Sequence, residues 1–120
     1  MKNLVTLLML FCITPVYAGV YEDAMKGDKD VLLYLYTPYC KACNVMQPYF
    51  DDVIKSHKEL NGVKVNADTF YGMSLMRKFK GRYVPYIVFS SPRTGKSVSI
   101  NYSCVMDDVC MERALKGLKG

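Results

Sequence analysis

The sequence contains no tryptophan and one histidine, and it shows no internal repeat or low-complexity tract. A single histidine, His57, leaves little for a metal centre beyond the cysteines. The apolar run Leu4 to Ile13 is about half the roughly twenty residues that a membrane-spanning helix needs. What is present is ordinary: 120 residues, 51% hydrophobic and 22% charged, with five prolines and eight glycines. That is the profile of one compact globular domain, with no room for a second.

The first eighteen residues stand apart from that domain. Lys2 forms a positive start, residues 4–13 an apolar middle, and Thr14-Pro15-Val16-Tyr17-Ala18 a cleavage region with small residues at the −3 and −1 places. This is the layout of a secretory signal peptide, and cleavage after Ala18 is expected. Cys12 would be discarded with it, and the bulky Phe11 argues against lipid attachment there. Removing residues 1–18 takes away Lys2 and no acid, so the net charge of the mature domain, residues 19–120, is +5 − 1 = +4. Its positive charges are interleaved with acids. The densest cluster, Lys78-Phe79-Lys80-Gly81-Arg82, reads as a solvated helix end, and no nucleic-acid partner is expected.

Export leaves Cys40, Cys43, Cys104 and Cys110, an even set that points to disulfides. Of three pairings, 40–43 with 104–110 joins the two close couples. The elements around them follow from periodicity. Residues 19–30 read as a short helix or loop, and Val31 to Tyr36 as a strand buried on both faces. Met46, Phe50, Val53 and Ile54 form a helical stripe ending near Leu60-Asn61-Gly62, with Pro48 inside it. Val63, Val65 and Ala67 alternate as a short strand. A helix from about Tyr71 to Lys80 turns Met73, Leu75, Met76 and Phe79 inward. Val84 to Phe89 is a strand, and residues 91–95 turn into a second one carrying Val98, Ile100 and Tyr102. Asp107 can cap a last helix with Met111, Ala114, Leu115 and Leu118 on its apolar face. The order β-α-β, α, β-β-α implies a parallel pair joined by a right-handed crossover. The fold class is α/β, a four-stranded mixed sheet flanked by helices.

Cys40 sits where the buried strand ends and the long helix begins. A thiol there meets unpaired backbone N–H groups and the positive end of the helix dipole, both of which favour the thiolate. Cys43, one turn on, can resolve a mixed disulfide formed at Cys40. Lys41 opposes the helix dipole yet would favour a neighbouring thiolate; a tuning role and an ordinary exposed lysine both stay open. A zinc site would need two further ligands, and the second short knuckle is missing. A purely structural staple would close a very small ring at a helix start. The spacing suits reversible dithiol chemistry better than either alternative.

The strand VLLYLYTPYC, the motif Cys40-Lys41-Ala42-Cys43, the helix proline Pro48 and the segment ending Tyr83-Val84-Pro85 together resemble the thioredoxin superfamily, specifically its exported bacterial thiol-disulfide oxidoreductases. The resemblance covers residues 28–118. It implies a thioredoxin fold, Cys40 as nucleophile and Cys43 as resolving cysteine. It further implies a cis-proline at Pro85 that, with the Val84 backbone, shapes a groove for an extended substrate. No metal, nucleotide or flavin is implied. The implied partners are protein thiols or disulfides and a membrane or envelope redox protein for recycling, with the chain itself a monomer in the periplasm. The chain departs from the family pattern where Tyr34 replaces a buried aspartate, Tyr39 a tryptophan, and Lys-Ala a Gly-Pro or Pro-His dipeptide. The direction of electron flow is therefore unsigned.

Cys104 and Cys110 are read as a structural disulfide at the end of the last strand and the start of the last helix; a relay to Cys40–Cys43 would need the two pairs to approach. The C-terminal helix is expected on the opposite face from the active site or edge-on to it. Tyr36, Tyr39, Tyr83 and Tyr86 either collar the cysteines to receive peptide or have no function. His57 is expected on a polar helix face and Lys64 on the surface. The rival class is a redox-inactive binding module, a chaperone or carrier of a soft ion such as Cu(I).

Overall fold

The computed structural model describes residues 19–119; the expected signal peptide, Cys12 included, lies outside them. The elements run α1 (Val20–Met25), β1 (Asp30–Tyr36), α2 (Lys41–Ser56), β2 (Leu60–Asn66), α3 (Phe70–Lys78), β3 (Tyr86–Ser90), β4 (Ser97–Ile100), α4 (Tyr102–Val105) and α5 (Asp108–Lys119). The strands form one sheet in the order β2-β1-β3-β4. β1 pairs in parallel with β2 and antiparallel with β3, and β3 pairs antiparallel with β4.

β1 sits centrally because its side chains are apolar on both faces, and Val31 to Leu35 are all fully buried. Alternation along the strand then divides the core in two. Leu32 and Tyr34 face one way, where they meet Cys43, Met46, Phe50 and Val53 of α2, Val105 of α4, and Met111 and Leu115 of α5. Val31, Leu33 and Leu35 face the other way, against Tyr21 and Ala24 of α1, Val63 and Val65 of β2, and Leu75 of α3. The C-terminal helix thus shares a face of the sheet with α2, so of the two expected placements the one on the face opposite the active site is not met. The apolar stripe Met111–Leu115, which matches the stripe on α2, is what draws it there.

Several boundaries also differ from the reading of the sequence. α2 runs through Pro48 but stops at Ser56, and Leu60, buried, opens β2 instead of closing the helix. Met73 is exposed, because α3 buries mainly Gly72 and Leu75. Tyr102 belongs to a separate short helix: Asn101 caps it by accepting from the Ser103 N–H at 3.0 Å, which ends β4 at Ile100. β3 begins at Tyr86, leaving Val84 and Pro85 ahead of the ladder. His57 is the C-cap of α2 and lies between Glu59 and Glu112, its ring nitrogens 3.0 Å and 2.8 Å from their carboxylates. Lys64 reaches from β2 to Asp51 of α2 at 2.6 Å.

Strand directions bring the C-terminal ends of β1, β2 and β4 and the start of β3 to one pole of the sheet. There the Ala67 N–H donates to the Tyr36 carbonyl at 2.7 Å, tying the loops after β1 and β2 together. α3 starts at the same pole, where the Thr69 hydroxyl caps it by accepting from the Gly72 N–H at 2.9 Å. A Cβ on Gly72 would collide with the Asn66 carbonyl oxygen, so only glycine lets the helix start this close to the strand end.

Candidate functional site

The loop after β1 delivers Cys40 as the N-cap of α2, with extended backbone at φ −85° and ψ 111°. An N-cap residue normally offers a side-chain oxygen to the N–H groups of the first turn. Here the acceptor is sulfur: the Cys43 N–H donates to Cys40 Sγ at 3.0 Å. The cysteines are joined as a disulfide with Cα atoms 5.1 Å apart. Cys40 is partly exposed, whereas Cys43 is 1% exposed. An incoming sulfur can therefore reach Cys40 and not Cys43. On reduction, negative charge on Cys40 Sγ would find a backbone donor and the helix N-terminus already in place. The arrangement supports reversible exchange between a dithiol and a disulfide.

Beneath the pair stands Tyr34, fully buried in β1. Its hydroxyl donates to the Cys43 carbonyl at 2.9 Å, and its ring packs on Phe50 and Tyr36 with centroids 5.2 Å and 5.5 Å away. Burial pushes its pKa from 10.0 to about 12, with the nearby Tyr36 and Asp51 adding to the rise. The hydroxyl therefore remains protonated over the whole neutral range. In the sequence Tyr34 stands out only as a departure from the family pattern. Its parity with Leu32, which aims it under α2, was the signal that could have linked it to the cysteines.

The Val84–Pro85 peptide is cis, and Pro85 is buried. Val84 packs at the edge of the same apolar cluster that holds Cys43, as do Cys40, Tyr36, Tyr102 and Met106. Lys41 is exposed on the first turn of α2. The four tyrosines do not close into a collar. Tyr39 is 91% exposed, Tyr83 stands in solvent edge-on to Tyr86, and Tyr86 packs in the opposite cluster while donating to the Phe79 carbonyl at 2.7 Å. Tyr36 alone of the four lies in the cluster of the cysteines.

Cys104 and Cys110 form a second disulfide, Cα atoms 5.2 Å apart, between α4 and α5. Asp107 lies between them and accepts from the N–H groups of Val109 and Cys110 at 3.0 Å and 3.2 Å, capping α5. Among the described residues, no group of three or more His, Cys, Asp or Glu side chains is placed to hold a metal ion.

A family model described as thioredoxin matches residues 13–106. Among solved structures, the chain is similar to thioredoxin from Trypanosoma brucei brucei at 16% identity, covering 87% of this chain and 91% of that one with a TM-score of 0.64. Mitochondrial thioredoxin 3 from Saccharomyces cerevisiae, in its oxidised form, is 17% identical over 81% of this chain and 86% of that one, TM-score 0.62. Thioredoxin f from spinach chloroplast is 16% identical over 84% and 80%, TM-score 0.68. No curated protein matches the chain.

Proposed function

This chain belongs to the thioredoxin family, whose members are thiol-disulfide oxidoreductases, and on that premise we propose that it exchanges disulfides with proteins of a bacterial envelope. The observation that carries the chemistry is the Cys43 N–H held 3.0 Å from Cys40 Sγ, with Cys40 the more exposed of the two residues. Acting as a reductant, the Cys40 thiolate attacks a substrate disulfide, forms a mixed disulfide and releases one substrate thiolate. Cys43, deprotonated, attacks Cys40 Sγ, expels the second substrate thiolate and leaves Cys40–Cys43 oxidised. Two electrons pass to the substrate, and a partner protein's dithiol restores them. The same steps reversed donate a disulfide.

Val84 and Pro85 form the floor on which an extended substrate lies, with Tyr39 at its rim. Cys104–Cys110 is structural. The address is the periplasm, reached by a signal peptide cleaved after Ala18, and the mature domain works as a monomer recycled by an envelope redox protein. The net charge of +4, from +5 − 1, leaves it without the strong basic field of a nucleic-acid binder.

Replacing Cys43 by Ser tests the exchange reading, because resolution then fails and mixed disulfides accumulate on Cys40. Recovery of adducts that dithiothreitol releases is expected from envelope extracts, with none from Cys40→Ser. Equal, empty yields from both variants would overturn the proposal. The mass and N-terminal sequence of the exported protein test the address, with Gly19 expected first.

A further inference from the structure

Two hydrogen bonds meet on one residue of the site. The Cys43 N–H donates to Cys40 Sγ at 3.0 Å, and the Cys43 carbonyl accepts from the Tyr34 hydroxyl at 2.9 Å. Cys43 lies in the first turn of α2, where helix ends fray most readily. Its backbone is thus held on the sheet side by a side chain that has no freedom of its own. Tyr34 is 0% exposed and wedged between the rings of Tyr36 and Phe50.

We propose that Tyr34 is a positioning residue for the exchange reaction: through its bond to the Cys43 carbonyl it keeps the Cys43 N–H aimed at Cys40 Sγ, and so lowers the pH at which Cys40 becomes a thiolate. The inference rests on the reading of Cys40 as the attacking sulfur. A charge-assisted bond to a thiolate weakens steeply as its donor drifts or tilts. Without the hydroxyl, the first turn keeps its helical bonds but loses its anchor to β1, and the Cys43 carbonyl loses a donor. The hydroxyl titrates far above neutrality, so it acts as a constant donor and never as the base that deprotonates Cys43. Proton removal from Cys43 falls to the substrate thiolate released in the first step, or to solvent.

The test is the pH profile of Cys40 alkylation by iodoacetamide in the reduced protein, with the midpoint redox equilibrium in glutathione buffers measured alongside. Tyr34→Phe keeps the ring and removes the donor. Its Cys40 midpoint should rise by roughly half to one pH unit, and alkylation below the midpoint should slow by about three- to tenfold. Tyr21→Phe is the control, since Tyr21 donates a buried hydroxyl to Ser90 Oγ at 2.8 Å in the opposite cluster. It should cost comparable stability and leave the Cys40 profile unmoved. Should Tyr34→Phe fail to fold, 3-fluorotyrosine placed at position 34, a sharper donor, should move the midpoint the other way.

A Cys40 midpoint that is unchanged in Tyr34→Phe, or equally shifted in Tyr21→Phe, overturns the positioning role while leaving the exchange reading intact. With the fluorinated residue, an unchanged or raised midpoint does the same. If wild-type Cys40 shows no thiolate below the ordinary cysteine range of about 8.5 and forms no mixed disulfides, the exchange reading itself fails.

Discussion

Replacing Cys104 and Cys110 together by Ala should cost the domain about 2.3 kcal/mol while leaving the exchange chemistry in place. The bridge spans a sequence separation of 6, closing a ring of about seven residues. In the chain-entropy relation such a ring withholds roughly 8 cal/mol/K from the unfolded state, or about 2.3 kcal/mol at 25 °C. Alanine is the right replacement because Cys104 is 8% exposed beside the fully buried Val105, and a serine hydroxyl there would add a desolvation cost of its own. For a domain of about a hundred residues, each kcal/mol moves Tm by roughly 4–8 °C, so a fall of about 9–18 °C is expected. Urea unfolding should show the loss as a lower midpoint with a somewhat larger slope, since the released chain expands. Disulfide reduction, assayed at a temperature where the variant is folded, should stay within about twofold of wild type. A stability loss under about 0.5 kcal/mol would refute the entropic reasoning. Lost exchange activity in a folded variant would refute the structural role of the pair.

Tyr34, with a pKa raised to about 12, stabilises the fold fully below pH 10, and that contribution is lost as pH rises from the unfolded value of 10.0 through the folded one. Urea titrations between pH 9 and 12 should therefore fall more steeply in wild type than in Tyr34→Phe, and parallel curves would contradict this. Gly72→Ala must push a Cβ into the Asn66 carbonyl oxygen and should destabilise by roughly 1–3 kcal/mol; a neutral result by thermal melt would mean α3 can shift freely. His57 has a carboxylate at each ring nitrogen, and a neutral ring has only one N–H to offer. A double-mutant cycle of His57→Gln with Glu112→Gln should give a coupling of about 0.5–1 kcal/mol, and simple additivity of the two losses would contradict a bridge between α2 and α5.

Residues that are repeated by a period were legible in the sequence. The buried run of β1, the stripe Met46–Phe50–Val53 and the alternation through Val63 and Val65 each specify an element and a face. Cys40 at the strand-to-helix junction was legible too, because a continuous apolar run gives way there to a helical stripe. What stayed hidden depends on single side chains acting across elements. Asn101 caps a four-residue helix too short to show a period, and so turns Tyr102 out of the strand. His57 looked like an exposed helix residue because its second partner, Glu112, lies on a helix that sequence alone did not place beside it. Tyr34 appeared as a missing acid, whereas its hydroxyl finds a backbone partner nine residues away.

The exchange chemistry depends most directly on Cys40 being the exchanging sulfur. The decisive measurement is the rate at which the purified protein accelerates dithiothreitol-driven reduction of insulin disulfides, beside Cys40→Ala and the double variant Cys104→Ala/Cys110→Ala. Acceleration is expected from wild type and from the double variant, and background turnover from Cys40→Ala. Background rates from the folded wild-type protein, or undiminished turnover in Cys40→Ala, would contradict it.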